Sequence, residues 1–359
     1  MKKFLFLVAA FMVATFAKAQ KITVVDSDGN GVSYASVLTP EAEYIGITDL
    51  DGVLADAKGA KVVTISHVAF KSKDVKLDGK DVRVVLEDAD FNLEEITVEP
   101  KPFIYAQTYY RLYVFTEKEG IIYYRAGLTD NTYDPKKKKV TASTSHVAKA
   151  KYGIIKTLMG AFGSKLDELS QIKPGKVETR MQNKGKGIGI TITDIAPGKK
   201  RINDNWGTLG YITDDKESGL RRFSYDSHKV VMHYLEAKGE SKLLKRVKER
   251  DAKKQNRTET NYCVYQIDED GNYGPEDFVM LEDLKSYDEV EDGETDHNIH
   301  GLQVFTIERA YVTKEELKQR KKQNKMKMNL SNIQQFEQQH NIPALPASVQ
   351  KAIDKLISK

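Results

Sequence analysis

The sequence predicts an all-β N-terminal sandwich of seven short strands, followed by an α+β domain with a mainly antiparallel sheet and a C-terminal helical tail. Three observations carry this. From Lys21 to Glu99, short apolar runs alternate with turn residues too closely for helices. At Pro100-Lys101-Pro102 two prolines resist both helix and sheet ladder, and longer, tyrosine-rich strands follow. After Thr313 the strand pattern gives way to basic helical text. The implied boundaries are a leader at 1–19, a sandwich at 20–99, a linker at 100–103, an α+β domain at 104–313 and a tail at 314–359.

Residues 1–19 read as a secretory signal peptide. Lys2 and Lys3 precede an apolar run from Phe4 to Phe16, and Ala17-Lys18-Ala19 offers small residues at the two positions a signal peptidase reads. At thirteen residues the run is shorter than the roughly 20 that span a bilayer, and no cysteine follows the cleavage point near Ala19/Gln20 to take a lipid. The expectation is an exported protein, in the periplasm or peripheral to the outer membrane. The chain has 56 basic and 52 acidic residues, net +4; without the three leader lysines 53 face 52, net +1. A near-neutral mature chain lacks the concentrated basic footprint of a nucleic-acid binder. Cys263 is the single cysteine, so no internal disulfide is expected although export permits one. Its alternating setting, Tyr262-Cys263-Val264-Tyr265, marks it as a small buried hydrophobe.

In the first domain Ile22-Thr23-Val24-Val25 leads to the turn Asp26-Ser27-Asp28-Gly29-Asn30-Gly31, and Tyr34 to Leu38 follows. Ile45 to Thr48 precedes the turn Asp49-Leu50-Asp51-Gly52; then come Val62 to Val68, Asp74 to Leu77 and Val82 to Leu86. The order of Val25-Asp26 with Asp28-Gly29, Ala35-Ser36-Val37, Thr48-Asp49 with Asp51-Gly52, Ile65-Ser66 to Phe70, and Leu93-Glu94-Glu95-Ile96-Thr97-Val98 resembles the carboxypeptidase regulatory-like domain. That family is a transthyretin-like, seven-stranded sandwich common in exported Bacteroidetes proteins, often attached at the N-terminal side of outer-membrane transporters or other modules. The resemblance covers under a quarter of the mature chain. Thr23 stands where a glycine is usual, and Ala69-Phe70 where a glycine-tyrosine pair is. What the resemblance implies is an accessory role, and it brings no catalytic residue with it.

In the second domain Thr108 to Phe115 and Gly120 to Tyr124 predict a hairpin, and Lys136 to Lys139 a basic turn. Apolar residues at Tyr152, Ile155, Leu158, Met159, Phe162, Leu166 and Leu169 predict a helix within Val147 to Leu169. Strands are predicted at Val177 to Met181, Gly189 to Ile195, Leu209 to Thr213, Arg222 to Tyr225, Lys229 to Tyr234, Asn261 to Ile267, Asp277 to Leu281 and Gly301 to Tyr311. Glu240 to Lys254 predicts a helix between them. Such a sheet is expected to curve around an apolar face. Lys314 to Met328 is basic and helical, and Pro346 to Lys359 closes with an amphipathic helix.

Several motifs imitate sites. Asp26-x-Asp28-x-Asn30-Gly31 opens like a calcium loop, but Val37 occupies the twelfth position, where a bidentate acid belongs. Asp268-x-Asp270-x-Asn272 has Tyr273 in place of the glycine and Val279 at twelve, so both segments read as hairpin turns. His233 and Glu236 match a His-x-x-Glu zinc pair with His340 as a distant third ligand, yet no His-Glu-x-x-His occurs and only nineteen residues follow His340. Gly185-Lys186-Gly187-Ile188-Gly189 has the glycine density of a phosphate cradle but leads into a strand, not a helix. The acidic run Glu282 to Asp296, ending in His297 and His300, reads as a solvated loop rather than a cation site. Tyr123-Tyr124-Arg125, and Thr141 to Ser145 with His146, contain nucleophile-type side chains without a nucleophile elbow. Trp206 in Asn205-Trp206-Gly207 reads as a packed or half-buried loop aromatic rather than a ligand platform. No catalytic, cofactor-binding or metal residue is predicted, and no cofactor.

A transmembrane barrel is not expected, because basic helical stretches interrupt the alternating strands and the chain ends in lysine. The expected function is a non-enzymatic cell-envelope adaptor or assembly protein whose sandwich docks an envelope or outer-membrane protein. The alternative is a periplasmic carrier of a lipid or other apolar ligand on a curved sheet, followed by an envelope hydrolase. Nucleic acid is not an expected partner. Lys314 to Lys327 offers peripheral contact with an anionic membrane.

Overall fold

The structure, a computed structural model, describes residues 20–41, 43–89, 103–151, 187–291, 293–323 and 332–357. The leader, the Pro100-Lys101-Pro102 linker, the expected strand Val177 to Met181 and the greater part of the expected helix Val147 to Leu169 lie outside them. The chain divides into two compact units, 1–89 and 90–359. Both are β-rich, and the described residues include five α-helices, all in the second unit.

The first unit has seven strands: β1 (Ile22–Val25), β2 (Ser36–Leu38), β3 (Tyr44–Ile47), β4 (Val53–Leu54), β5 (Val62–His67), β6 (Phe70–Lys76) and β7 (Val82–Val85). They form a three-stranded sheet, β4-β1-β7, and a four-stranded sheet, β3-β2-β5-β6. All pairs are antiparallel except β1 with β7. β5 alternates half-buried and buried residues along its length, the period of a strand with one face on a core. Ile22, Val24, Val37, Ile65 and Leu86 are wholly buried, each contributing about 1.5–3 kcal/mol. Thr48 stitches two turns together, its Oγ1 accepting from the Ala35 N–H at 2.8 Å and donating to the Val32 carbonyl at 2.7 Å. Two turn glycines are required by contact: a Cβ on Gly31 would lie 2.1 Å from the Asp51 carbonyl oxygen, and one on Gly52 2.3 Å from the Val24 carbonyl oxygen.

The second unit is built on one ten-stranded antiparallel sheet. Its strands are β8 (Phe103–Thr116), β9 (Gly120–Asp134), β10 (Lys139–Lys151), β11 (Thr191–Ala196), β12 (Lys199–Asp204), β13 (Gly207–Asp215), β14 (Leu220–Asp226), β15 (Lys254–Gln266), β16 (Phe278–Glu291) and β17 (Glu294–Val312). The order is β10-β9-β8-β17-β16-β15-β14-β13-β12-β11. Paired neighbours are consecutive in the chain except β17 and β8, where the last strand returns to the first. Between β14 and β15 stand α1 (Ser227–Ala237) and α2 (Lys242–Asp251); after β17 come α3 (Lys314–Gln323), α4 (Ile333–Gln339) and α5 (Ala347–Ile357).

Register explains the core. Tyr110, Val304, Leu281, Cys263, Phe223 and Ile212 are successive cross-strand partners over six neighbouring strands, and all are buried. This row defines the inner face of the sheet, on which Val230 of α1 also packs. Side chains of β8 alternate, so Tyr109, Arg111 and Tyr113 point to the opposite, outer face. There Tyr109 meets Phe336 of α4 with ring centroids 5.3 Å apart. The C-terminal helices thus belong to the sheet unit.

Three sequence expectations are corrected. Residues 147–151, expected to open a helix, continue strand β10, held by pairing with β9 down to Lys151 opposite Tyr123. Lys229 to Tyr234, expected as a strand, lies in α1, because the Asp226 side chain accepts from the Lys229 N–H at 2.8 Å and caps a helix there. The consecutive Val230-Val231-Met232 imitates a strand core. The acidic run Glu282 to Asp296 is a hairpin of two long strands rather than a loop: Leu284, Tyr287 and Ile299 are buried within it, and its charges alternate with them.

Candidate functional site

Two rows along from the core row, the inner face turns polar. Cross-strand pairing sets Val114 beside His300, His300 beside Lys285, and Lys285 beside Glu259. The intervening row carries Leu112, Leu302, Asp283 and Asn261. Between these two rows is a cavity of about 120 Å³ lined by Leu112, Glu259, Asp283, Lys285, His300, Gly301 and Leu302. Leu112, Leu302 and Asp283 line it from one row, and Glu259, Lys285 and His300 from the other.

Its electrostatics follow from burial and crowding. The Lys285 ammonium lies 2.5 Å from Glu259 Oε1, and Arg257 Nη2 donates to the same oxygen at 2.5 Å. Arg257 also binds Asp251, which His228 contacts at 2.8 Å. Burial opposes the charge on Glu259, but Lys285 and Arg257 outweigh it and hold its carboxyl down at about 2. Lys254 places its ammonium 3.7 Å from the Tyr287 ring centroid, while the Lys285 ammonium is 5.6 Å from the same ring. Burial, then the nearby Lys285, Arg257 and Arg250, push Lys254 down to about 8. His300 is pushed down to about 4 by burial and then by Lys285 and Lys254, so it is a neutral imidazole at physiological pH. Its Nε2 lies 3.4 Å from the Tyr287 hydroxyl.

The outer face holds a second, closed network. Arg111 is fully buried; its Nε donates to Gln303 Oε1 at 2.5 Å, its Nη1 to Glu337 Oε1 at 3.0 Å and its Nη2 to the Pro343 carbonyl at 2.5 Å. Tyr109 donates to Glu337 Oε1 at 2.6 Å, and Gln303 donates to Glu282 at 2.5 Å. Burial raises the Glu282 carboxyl to about 7, against the opposing pull of Gln303 and Arg111. Through Tyr109 and Arg111 it tethers α4 to the sheet.

Also on the outer face, Ser286 Oγ lies 3.2 Å from His297 Nε2, and His297 Nδ1 lies 2.6 Å from Asp288 Oδ1. The order imitates a hydrolytic triad. Ser286 and His297 are buried, however, and β16 is paired on both sides, so its backbone amides are committed to the ladder and supply no oxyanion hole.

The sequence motifs end in separate places. Asp26 and Asp268 each accept the N–H four residues on, from Asn30 at 2.8 Å and from Asn272 at 2.7 Å, closing two turns of the same design. His233 binds Asp204 at 2.5 Å and packs on Trp206 with ring centroids 4.8 Å apart. Trp206, at the β12–β13 turn, is 50% exposed, a half-buried loop aromatic with His233 against its ring. His340 instead stacks on Phe336 at 4.4 Å. Among the described residues no three His, Cys, Asp or Glu side chains converge as metal ligands. Gly187 to Ile190 form a turn before β11; Gly185 and Lys186 lie outside the described residues, as does the side chain of His146. Cys263 is buried in the core row. Of the acidic run and its histidines, Asp283 and His300 reach the cavity and Glu282, Asp288 and His297 do not. Glu259 and Lys285 escape a sequence reading because single charges in alternating strands look solvated. Arg111 carries a signal: a lone charge inside Tyr109-Tyr110-Arg111-Leu112-Tyr113 demands a buried partner.

Compared with protein-family models and with curated proteins, the chain matches none.

Proposed function

We propose that this is a non-enzymatic cell-envelope adaptor or assembly protein, exported by its leader, whose first unit acts as a carboxypeptidase regulatory-like, transthyretin-like sandwich that docks an envelope partner. The observation that carries this reading is the division into two compact units, each with its own buried core. Separate cores allow each unit to keep its shape while engaging a different partner. The family reading is further supported by the two sheets of three and four strands and by Thr48, one of the landmark residues, bridging two turns.

A lipid chain finds little space on the inner face, where the row from Tyr110 to Ile212 is packed.

Photo-crosslinking in intact cells tests the reading. A photoreactive residue in place of Lys71, on exposed β6, is expected to give one dominant adduct with an envelope protein. An exported, full-length protein that yields no adduct from β6 or from the Asp49–Gly52 turn would contradict docking through this unit.

A further inference from the structure

We propose that one end of the large sheet is a self-complementary interface through which two copies of this chain associate about a two-fold axis, the basic α2 of each against the acidic turns of the other. The inference is independent of partner docking by the first unit.

Topology brings the parts together. Every pairing in the sheet is antiparallel, so the β8–β9, β12–β13 and β16–β17 turns and the α1–α2 excursion between β14 and β15 all leave the same end. Among the described residues six large apolar side chains are exposed, and four of them, Trp206, Val231, Leu243 and Val290, lie on these connections or next to them. Scattered exposure needs no explanation, but clustering of this kind marks a contact surface. His233 of α1 stacks on Trp206, and α2 is fixed to α1 by Lys248 on Glu236 at 2.9 Å and by Asp251 on His228 at 2.8 Å. Trp206 and the two helices therefore form one block.

Charge decides the occupant. Residues 227–253 carry eight basic and four acidic side chains. Lys229 pairs with Asp226, Lys248 with Glu236, and Asp251 serves Arg250, Arg257 and His228. Lys242, Lys245 and Arg246 are exposed and make no ion pair among the described residues, with Glu240 and Glu249 as the remaining acids of the stretch. Across the same end, residues 117–119 and 288–296 carry eight acids against Lys118. Lys351 and Lys355 of α5, with Asp354, and Lys149 and Lys151 at the end of β10 flank these turns and reduce the excess without cancelling it. Glu119 and Glu289 are exposed and make no ion pair among the described residues. The end is thus basic on the α1–α2 side and acidic on the side of β8, β16 and β17. A uniformly anionic surface laid across it meets repulsion over half the contact. Rotating a second copy by 180° about the sheet normal sets end against end with each basic half on an acidic half. That is an isologous contact, and it closes after two copies.

Sedimentation velocity of the full-length mature protein at low ionic strength tests it. A concentration-dependent dimer is expected, dissociating as salt is raised. Two charge-reversed proteins, one with Lys242→Glu, Lys245→Glu and Arg246→Glu and the other with Glu119→Lys and Glu289→Lys, each place like charges across the two-fold axis. Each is expected to self-associate about tenfold or more weakly than the parent. Mixed in equal amounts they are expected to form a heterodimer, since every reversed half then meets its opposite. All five positions are exposed, so the variants keep the fold, and circular dichroism verifies this. A parent that stays monomeric up to about 100 µM overturns the proposal, as does a mixture that associates no better than either variant alone. A monomeric parent that floats with phosphatidylglycerol vesicles also overturns it and assigns this end to an anionic surface.

Discussion

Arg111, in the first strand of the large sheet, and Glu337, 226 positions later in the chain, form an ion pair at 3.0 Å with the guanidinium fully buried. The desolvation of two charges is offset because each of the other two guanidinium nitrogens also donates a hydrogen bond, Nε to Gln303 and Nη2 to the Pro343 carbonyl. The contact therefore decides where the C-terminal helices sit, and it makes α4 part of the sheet's hydrogen-bond network.

Arg111→Met is expected to destabilise the second unit by about 3–5 kcal/mol, the cost of leaving a partner charge buried alone. Urea unfolding measures it. The double variant Arg111→Met with Glu337→Met is expected to recover a large part of that loss, because it removes the orphan along with the pair. A double variant as unstable as the sum of the singles would show that the two residues act separately.

Glu282 gives the fold a pH dependence of defined sign. Its carboxyl ionises near 4.5 when unfolded and at about 7 when folded, so the native state holds the proton more tightly. Its contribution is fully present below pH 4.5 and is lost as the pH rises through 7, a change of about 3 kcal/mol at most. Glu282→Gln is expected to flatten the stability profile between pH 5 and 8 and to be the more stable protein above pH 7. An unchanged profile in that variant would assign the slope elsewhere.

The legible parts of this fold are the ones set by local chemistry. The Asp-x-Asp-x-Asn turns and the strand periodicity of Val62 to His67 follow from neighbours in sequence, and the hairpin at Thr108 to Tyr124 is readable from alternation alone. What stays hidden depends on partners far along the chain. Lys285 meets Glu259 and His300 only through the register of β15, β16 and β17, and an acidic strand between two paired neighbours reads like a solvated loop. The Lys229 to Tyr234 segment reads as a strand because three adjacent apolar residues conceal a helix that Asp226 begins.

Gly301 is opposite Tyr113, whose ring lies across it; an added Cβ would come within 2.2 Å of the ring. Gly301→Ala is expected to cost about 1–3 kcal/mol by forcing Tyr113 from its place. Combining it with Tyr113→Leu should reduce the penalty of the glycine change, as thermal unfolding will show. A Gly301→Ala protein that melts with the parent would rule out a fixed ring.

In the first unit, Thr48→Val keeps the shape of the side chain but strands the Ala35 N–H and the Val32 carbonyl. The expected loss is about 1–3 kcal/mol, confined to residues 20–89. Amide hydrogen exchange tests this: protection should fall in β2 and β5 while β8 and β17 are unaffected. A uniform fall across both units would mean that they do not unfold independently.

The docking reading meets its most direct test in the mass of the protein as it leaves the cell. Native mass spectrometry of the mature protein, released gently from envelopes and without cross-linker, is expected to show a stoichiometric complex with another envelope protein. A population that emerges entirely as the monomer would contradict it.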